Sequence, residues 1–196
     1  MHLLLVTGFL GSGKTSLILS LAHAAREAGR RVAVIVNEIG DIGIDNQLMR
    51  RLDLDVWELT NGCICCTLTA DLVTTLYKLD EGYAIDLVIV EPSGAAEPAN
   101  LLRAMPYYRG RPLESTRWIA VLDPLRLPML LEVLTPLITT GIRQADVLIV
   151  SKADLASGQE VAEAETAARE INPDAPLYVL DLTARLEPAV ATELLP

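Results

Sequence analysis

No apolar run in this chain approaches the ~18 residues needed to cross a bilayer, although 51% of its residues are hydrophobic and its mean hydropathy is +0.35. A membrane span is excluded, and the apolar excess points instead to a buried parallel sheet. No block of basic residues interrupts a balance of 16 basic and 26 acidic side chains, a formal charge of −10, so nucleic acid is a poor partner. There are only three cysteines, all within four residues, which excludes a disulfide framework. No basic segment with a cleavage site stands before the first apolar run, since Met1-His2 leads straight into it; a cytoplasmic location is expected. Repeats, linkers and low-complexity tracts are also missing. The 196 residues suit one α/β domain over 1–196, with no second C-terminal domain.

What is present is organised around Gly8-Phe9-Leu10-Gly11-Ser12-Gly13-Lys14-Thr15, a G-x-x-x-x-G-K-T string of the P-loop type. The apolar run 2–7 before it has strand length. Apolar residues at helical spacing follow it, predicting a helix over 14–28 that stops at Gly29. A glycine-rich turn from a buried strand into a helix brings backbone N–H groups and a positive helix end to an oxygen anion. Gly8, Gly11, Ser12, Gly13, Lys14, Thr15 and Ser16 are the candidate phosphate residues. Lys14 would reach the β- and γ-phosphates, and the Thr15 hydroxyl would ligate Mg²⁺. The alternative is a ligand-free glycine turn.

Further strands are expected at 31–37, 55–60, 85–91, 117–123, 144–151 and 176–181, with helices at 68–80, 95–105 and 159–171. Residues 125–138 also read as helical, with a break or kink at Pro128 and Pro136. The tail 185–196 is too short for another domain. The expected fold is a mostly parallel sheet with helices on both faces, joined by right-handed βαβ crossovers.

Such a sheet binds ligands beyond the carboxyl ends of its strands. Glu38, Asp41 and Asp45 follow the second strand in a glycine-containing segment suited to a switch, or alternatively to a solvated loop. Glu91 ends a buried strand and Pro92-Ser93-Gly94 follows, the arrangement of a Walker B acid and second switch. Glu91 would hold Mg²⁺ through a water, and the Gly94 N–H would contact the γ-phosphate. Ser151-Lys152-Ala153-Asp154 resembles the N-K-x-D base-recognition motif. Asp154 would accept from guanine N1–H and its 2-amino group, and the Lys152 stem would pack on the base. With Ser151 in place of asparagine, one polar contact is lost or water-mediated. Residues 182–184 form a weak second base loop.

Cys63-Ile64-Cys65-Cys66 lies on a turn before a helix. A helix N-terminus lowers thiol pKa, and thiolates bind thiophilic ions. C-x-C-C lacks the two separated pairs of a structural zinc site. Three thiols with an open position suit metal transfer; two thiols with Glu38, or with a second protomer, are alternatives.

Together these motifs resemble the CobW-type P-loop GTPases, relatives of the urease and hydrogenase maturation GTPases UreG and HypB. The resemblance covers residues 3–183 and rests on Gly8–Thr15, Val36-Asn37-Glu38-x-Gly40 with Asp45, Asn61-Gly62-Cys63-Ile64-Cys65-Cys66, Glu91-x-Ser93-Gly94 and Ser151-Lys152-x-Asp154. It implies a GTPase using GTP/GDP and Mg²⁺, whose cycle loads, holds and releases zinc, cobalt or nickel for a client, with nucleotide state altering the C-x-C-C loop. Two departures bear on this. The usual second domain is missing, so a separate partner would recognise the client. Only His2 and His23 are present, and His23 reads as a surface residue, which excludes a large metal store and favours Zn²⁺ or Co²⁺ over nickel. Of Arg103, Arg109, Arg111, Arg117, Arg126 and Arg143, none is marked by motif as an arginine finger, so activation by homodimerisation or a partner is expected. A competing reading is a GTPase switch for maturation or reactivation of a metalloenzyme or corrinoid-dependent protein without metal transfer. A metabolic kinase with the same cradle would leave Asp154 and the thiols unexplained.

Overall fold

The computed structural model describes residues 1–36, 55–58, 67–92 and 105–196, of which 55–58 and 67–71 are described by backbone alone. Within these residues the strands are β1 (His2–Gly8), β2 (Val32–Val36), β3 (Asp55–Glu58), β4 (Leu87–Glu91), β5 (Ser115–Leu122), β6 (Val147–Val150) and β7 (Leu177–Val179). They form one seven-stranded sheet in the order β3-β2-β4-β1-β5-β6-β7, and every pairing is parallel. The helices are α1 (Lys14–Glu27), α2 (Thr67–Gly82), α3 (Leu127–Val133), α4 (Thr135–Gln144), α5 (Gly158–Ile171) and α6 (Pro188–Leu194), with a short 3₁₀ turn at Met105–Tyr107.

The two-residue period of a strand divides the core into two layers. Leu3, Leu5, Ala33, Ile35, Val88, Val90, Ala120, Leu148 and Val150 face one side, where they meet Leu72, Leu76 and Leu79 of α2, Ile142 of α4 and Ala164 and Ala168 of α5. Leu4, Val6, Val34, Ile89, Ile119, Val121 and Ile149 face the other, against Leu17, Ile18, Leu21, Ala22 and Ala25 of α1 and Ala191 and Leu194 of α6. Burial on both faces is why these strands read as unbroken apolar runs. Trp118 of β5 is fully buried; its indole Nε1–H donates to Thr7 Oγ1 at 2.7 Å, and that hydroxyl donates to the Ile119 carbonyl at 3.2 Å.

Three boundaries differ from expectation. The helix expected at 125–138 is two helices running to Gln144, with Pro128 and Pro136 each in a first turn. There the missing N–H has no helical acceptor to lose, so proline starts a helix as readily as it breaks one. The tail carries α6, which covers α1; Arg30 Nη1 donates to the Pro196 carbonyl at 2.8 Å and Arg117 Nη1 to the Leu195 carbonyl at 2.8 Å. The strand expected at 144–151 is shorter, because Asp146 instead accepts the Trp118 backbone N–H at 2.7 Å. No helix of the described residues is long and apolar enough to cross a membrane.

Candidate functional site

The chain moves outward from central β1 to β2 and β3, returns to β4, then continues on the other side through β5, β6 and β7. The switch in direction lies at the carboxyl end of β1, the place where an open α/β sheet binds its ligands. Register brings the strand ends together there: Gly8 lies opposite Val121, Val36 opposite Glu91 and Glu58, and Leu122 opposite Val150.

Gly8 ends β1 and the loop runs to Lys14, the first residue of α1. A Cβ on Gly8 would stand 2.4 Å from the Val121 carbonyl oxygen, so only glycine lets the loop leave the sheet here. Gly13 caps α1 in the left-handed region at φ 95°. The loop is closed by Ser12 N–H donating to the Phe9 carbonyl at 3.1 Å. Lys14 is buried; its Nζ lies 3.3 Å from the Phe9 carbonyl and 3.4 Å from Glu91 Oε1. The loop lysine and the strand-tip acid, 77 positions apart, thus converge on one point. Thr15 is half-buried in the first turn of α1, and Ser16 is exposed beside a polar cleft with Ser20, His23, Thr183 and Arg185. His23 is half-exposed near Glu27, at 3.5 Å.

The base-recognition candidates follow β6. Ser151 is fully buried, and its hydroxyl lies 2.7 Å from the Ser12 carbonyl and 3.0 Å from the Leu122 carbonyl. It braces the phosphate loop from beneath. Lys152 has φ 54° and donates from Nζ to Asp123 Oδ2 at 2.7 Å. Asp154 is exposed. In the candidate second base loop Leu182 packs against Gly13, its Cδ1 lying 3.2 Å from where a Cβ would stand. Asp181 Oδ1 accepts from the Thr183 hydroxyl at 2.6 Å and the Thr183 backbone N–H at 2.8 Å, which hold its carboxyl below the usual range.

Cys63, Cys65, Cys66, Glu38, Asp41, Asp45, Ser93 and Gly94 lie outside the described residues. Among the described residues no three His, Cys, Asp or Glu side chains gather into a metal-binding group. Two participants were not assigned roles from the sequence. Asp123 showed only as an acid at a strand tip, the same signal that marked Glu91, and that signal could have flagged it. Arg126 carried no signal; its Nη1 donates to the Leu10 carbonyl of the phosphate loop at 3.1 Å.

Comparison with known proteins gives consistent matches. The family described as CobW/HypB/UreG, nucleotide-binding domain, matches residues 2–179. A zinc chaperone CobW from Sinorhizobium is 42% identical over 106 residues, covering 50% of this chain and 29% of the relative. The zinc chaperone YjiA of Escherichia coli is 31% identical over 187 residues, covering 90% of this chain and 56% of the relative. The chain therefore spans from under a third to just over half the length of these relatives. Among solved structures, HypB from Helicobacter pylori in complex with nickel superposes with a TM-score of 0.67 at 20% identity, covering 98% of this chain and 83% of that one. At that identity the likeness speaks for the fold.

Proposed function

The chain belongs to the CobW/HypB/UreG family of nucleotide-binding domains, and from that premise we propose that it binds and hydrolyses GTP and couples nucleotide state to the binding and delivery of a thiophilic metal, zinc first and cobalt second. The observation that carries the reading is the meeting of Lys14 and Glu91 at the mouth of the glycine loop, 3.4 Å apart. The relatives named zinc chaperones support zinc as the cargo.

The chemistry follows from the charges. Lys14 faces a carboxylate and a backbone carbonyl. Triphosphate oxygens concentrate more negative charge than Glu91 supplies, so bound nucleotide would draw Lys14 onto the β- and γ-phosphates. Glu91 and the Thr15 hydroxyl are hard oxygen donors one loop apart, the donor type that Mg²⁺ takes. They would hold that ion, which when bound neutralises charge on the phosphates. Ser12 Oγ is buried without a hydrogen-bond partner among the described residues, an orphan inside the loop that polar occupancy of the cradle would relieve. Asp154 would select guanine. Cys63, Cys65 and Cys66, with Glu38 as a fourth donor, would bind the cargo metal, and Gly94 would sense the γ-phosphate. A client metalloprotein would receive the metal, and a second copy or that partner would accelerate hydrolysis.

The test is a titration of Zn²⁺ and Co²⁺ into reduced protein that is nucleotide-free, GDP-bound, or bound to a non-hydrolysable GTP analogue. Cobalt–thiolate absorption counts sulfur ligands, and the triple Cys63/Cys65/Cys66→Ser protein is the control. Tight thiolate-dependent binding that changes between the GDP and GTP states is the expected result. Equal or weak binding in all three sinks nucleotide-coupled metal transfer and leaves a switch that acts on a metalloenzyme or corrinoid protein.

A further inference from the structure

We propose that Asp123 is a positioning residue that ties the base loop to the phosphate loop by holding both Lys152 and Arg126. The inference rests on the guanine-nucleotide site proposed above. Asp123 follows β5 and is buried, its side chain 2% exposed. A carboxylate so placed must be paired or hydrogen-bonded to stay charged. Lys152 Nζ donates to its Oδ2 at 2.7 Å, and the Leu125 backbone N–H donates to its Oδ1 at 3.1 Å. Arg126 Nε stands 3.7 Å from Oδ2, while Arg126 Nη1 reaches the Leu10 carbonyl at 3.1 Å. The result is a chain of contacts, Lys152–Asp123–Arg126–Leu10, running from one loop to the other.

Two further observations give the chain a purpose. Lys152 is the one non-glycine residue with positive φ among the described residues, at 54°. A lysine stays in that region only where its surroundings fix it, and such residues gather at ligand sites. The burial is also lopsided. Asp123 is enclosed, whereas the Lys152 and Arg126 side chains are 25% and 49% exposed. The anion of the tie thus lies inside and its two cations lie toward the open side. Asp154, two residues past Lys152, takes its place from the same turn, in which Leu155 and Ala156 N–H donate to the Lys152 carbonyl at 3.0 and 3.1 Å. When Asp123 loses its charge, Lys152 is released, and the guanine-reading carboxylate moves with the turn.

The experiment titrates fluorescent N-methylanthraniloyl GDP and ADP into the full chain: wild type, Asp123→Asn, Lys152→Met, the double variant and Arg126→Met, each checked for folding by circular dichroism. Asp123→Asn should weaken GDP binding about tenfold, as expected for one charge-assisted hydrogen bond. It should also narrow the preference for GDP over ADP, which general destabilisation would leave unchanged. Lys152→Met should do the same, and the double variant should be no worse than either single, because both break one link. Arg126→Met should weaken both nucleotides alike. A folded Asp123→Asn protein with wild-type binding, an unchanged GDP/ADP ratio, or additive losses in the double variant overturns the proposal. If Asp123→Asn does not fold, the two partly exposed cations decide, and wild-type binding by either Lys152→Met or Arg126→Met overturns it. Wild-type protein that does not prefer GDP instead refutes the guanine reading of the site, and the tie falls with it.

Discussion

Replacing Ser151 with alanine separates two roles that its place in the S-K-x-D string leaves entangled. The side chain is fully buried and its hydroxyl is shared between the Ser12 and Leu122 carbonyls at 2.7 and 3.0 Å. The Leu122 carbonyl also accepts the Ser151 backbone N–H at 2.9 Å, and alanine keeps that bond. The Ser12 carbonyl therefore bears the loss. A buried acceptor stripped of its donor costs about 1–3 kcal/mol, and the methyl group left behind adds no strain. Urea unfolding followed by far-ultraviolet circular dichroism reads this as a lower midpoint at unchanged slope. Guanine-nucleotide affinity should fall, because the loop loses its brace, while the preference for GTP over ATP stays as in wild type. An unchanged midpoint together with a lost base preference would refute the brace and put the hydroxyl on the base.

Three other outcomes follow from the same geometry. Lys14→Met should lower GTP affinity by at least about 100-fold, read by calorimetric titration, if Lys14 is the charged donor to two phosphates that the proposed function makes it. Leu194→Ala should cost about 2–5 kcal/mol in chemical denaturation, because Leu194 of α6 is fully buried against α1. Asp80 is hydrogen-bonded by the Arg111 side chain and backbone, which hold its carboxyl below the usual value. A depressed folded-state pKa stabilises above the unfolded pKa and loses that contribution as pH falls through the folded one. Asp80→Asn should therefore melt below wild type at pH 7, and the gap should close as pH drops below about 4.

The strands β2, β4 and β6 and the middle of β1 were legible because they are buried on both faces and so read as unbroken apolar runs. The phosphate loop was legible because its glycines, lysine and threonine are contiguous. The rest depended on contacts between distant parts of the chain. Asp123 and Lys152 stand 29 positions apart, and only the register of β5 against β6, with Leu122 opposite Val150, brings them together. The same register sets Ser151 beneath Ser12, a contact that its motif does not declare. The last helix, Pro188–Leu194, is two turns long with two buried residues, too short for periodicity to declare it. Pro128 and Pro136 were marked as breaks, but where the helices resume was set by packing on the sheet. The cysteine string and Glu38 lie outside the described residues, and their part rests on the sequence and the family.

The hydrogen bond from Trp118 to Thr7 gives the molecule an optical gauge of its own. Thr7 is the last residue before Gly8, so the indole is fastened to the root of the phosphate loop through a buried 2.7 Å bond. Indole emission responds to the strength of that bond and to the polarity around the ring. A strain passed down the loop when its ligands arrive or leave would register as a wavelength change from Trp118, the sole tryptophan besides Trp57, with no dye attached. The quiet side of the sheet thereby becomes a place from which the busy edge can be watched.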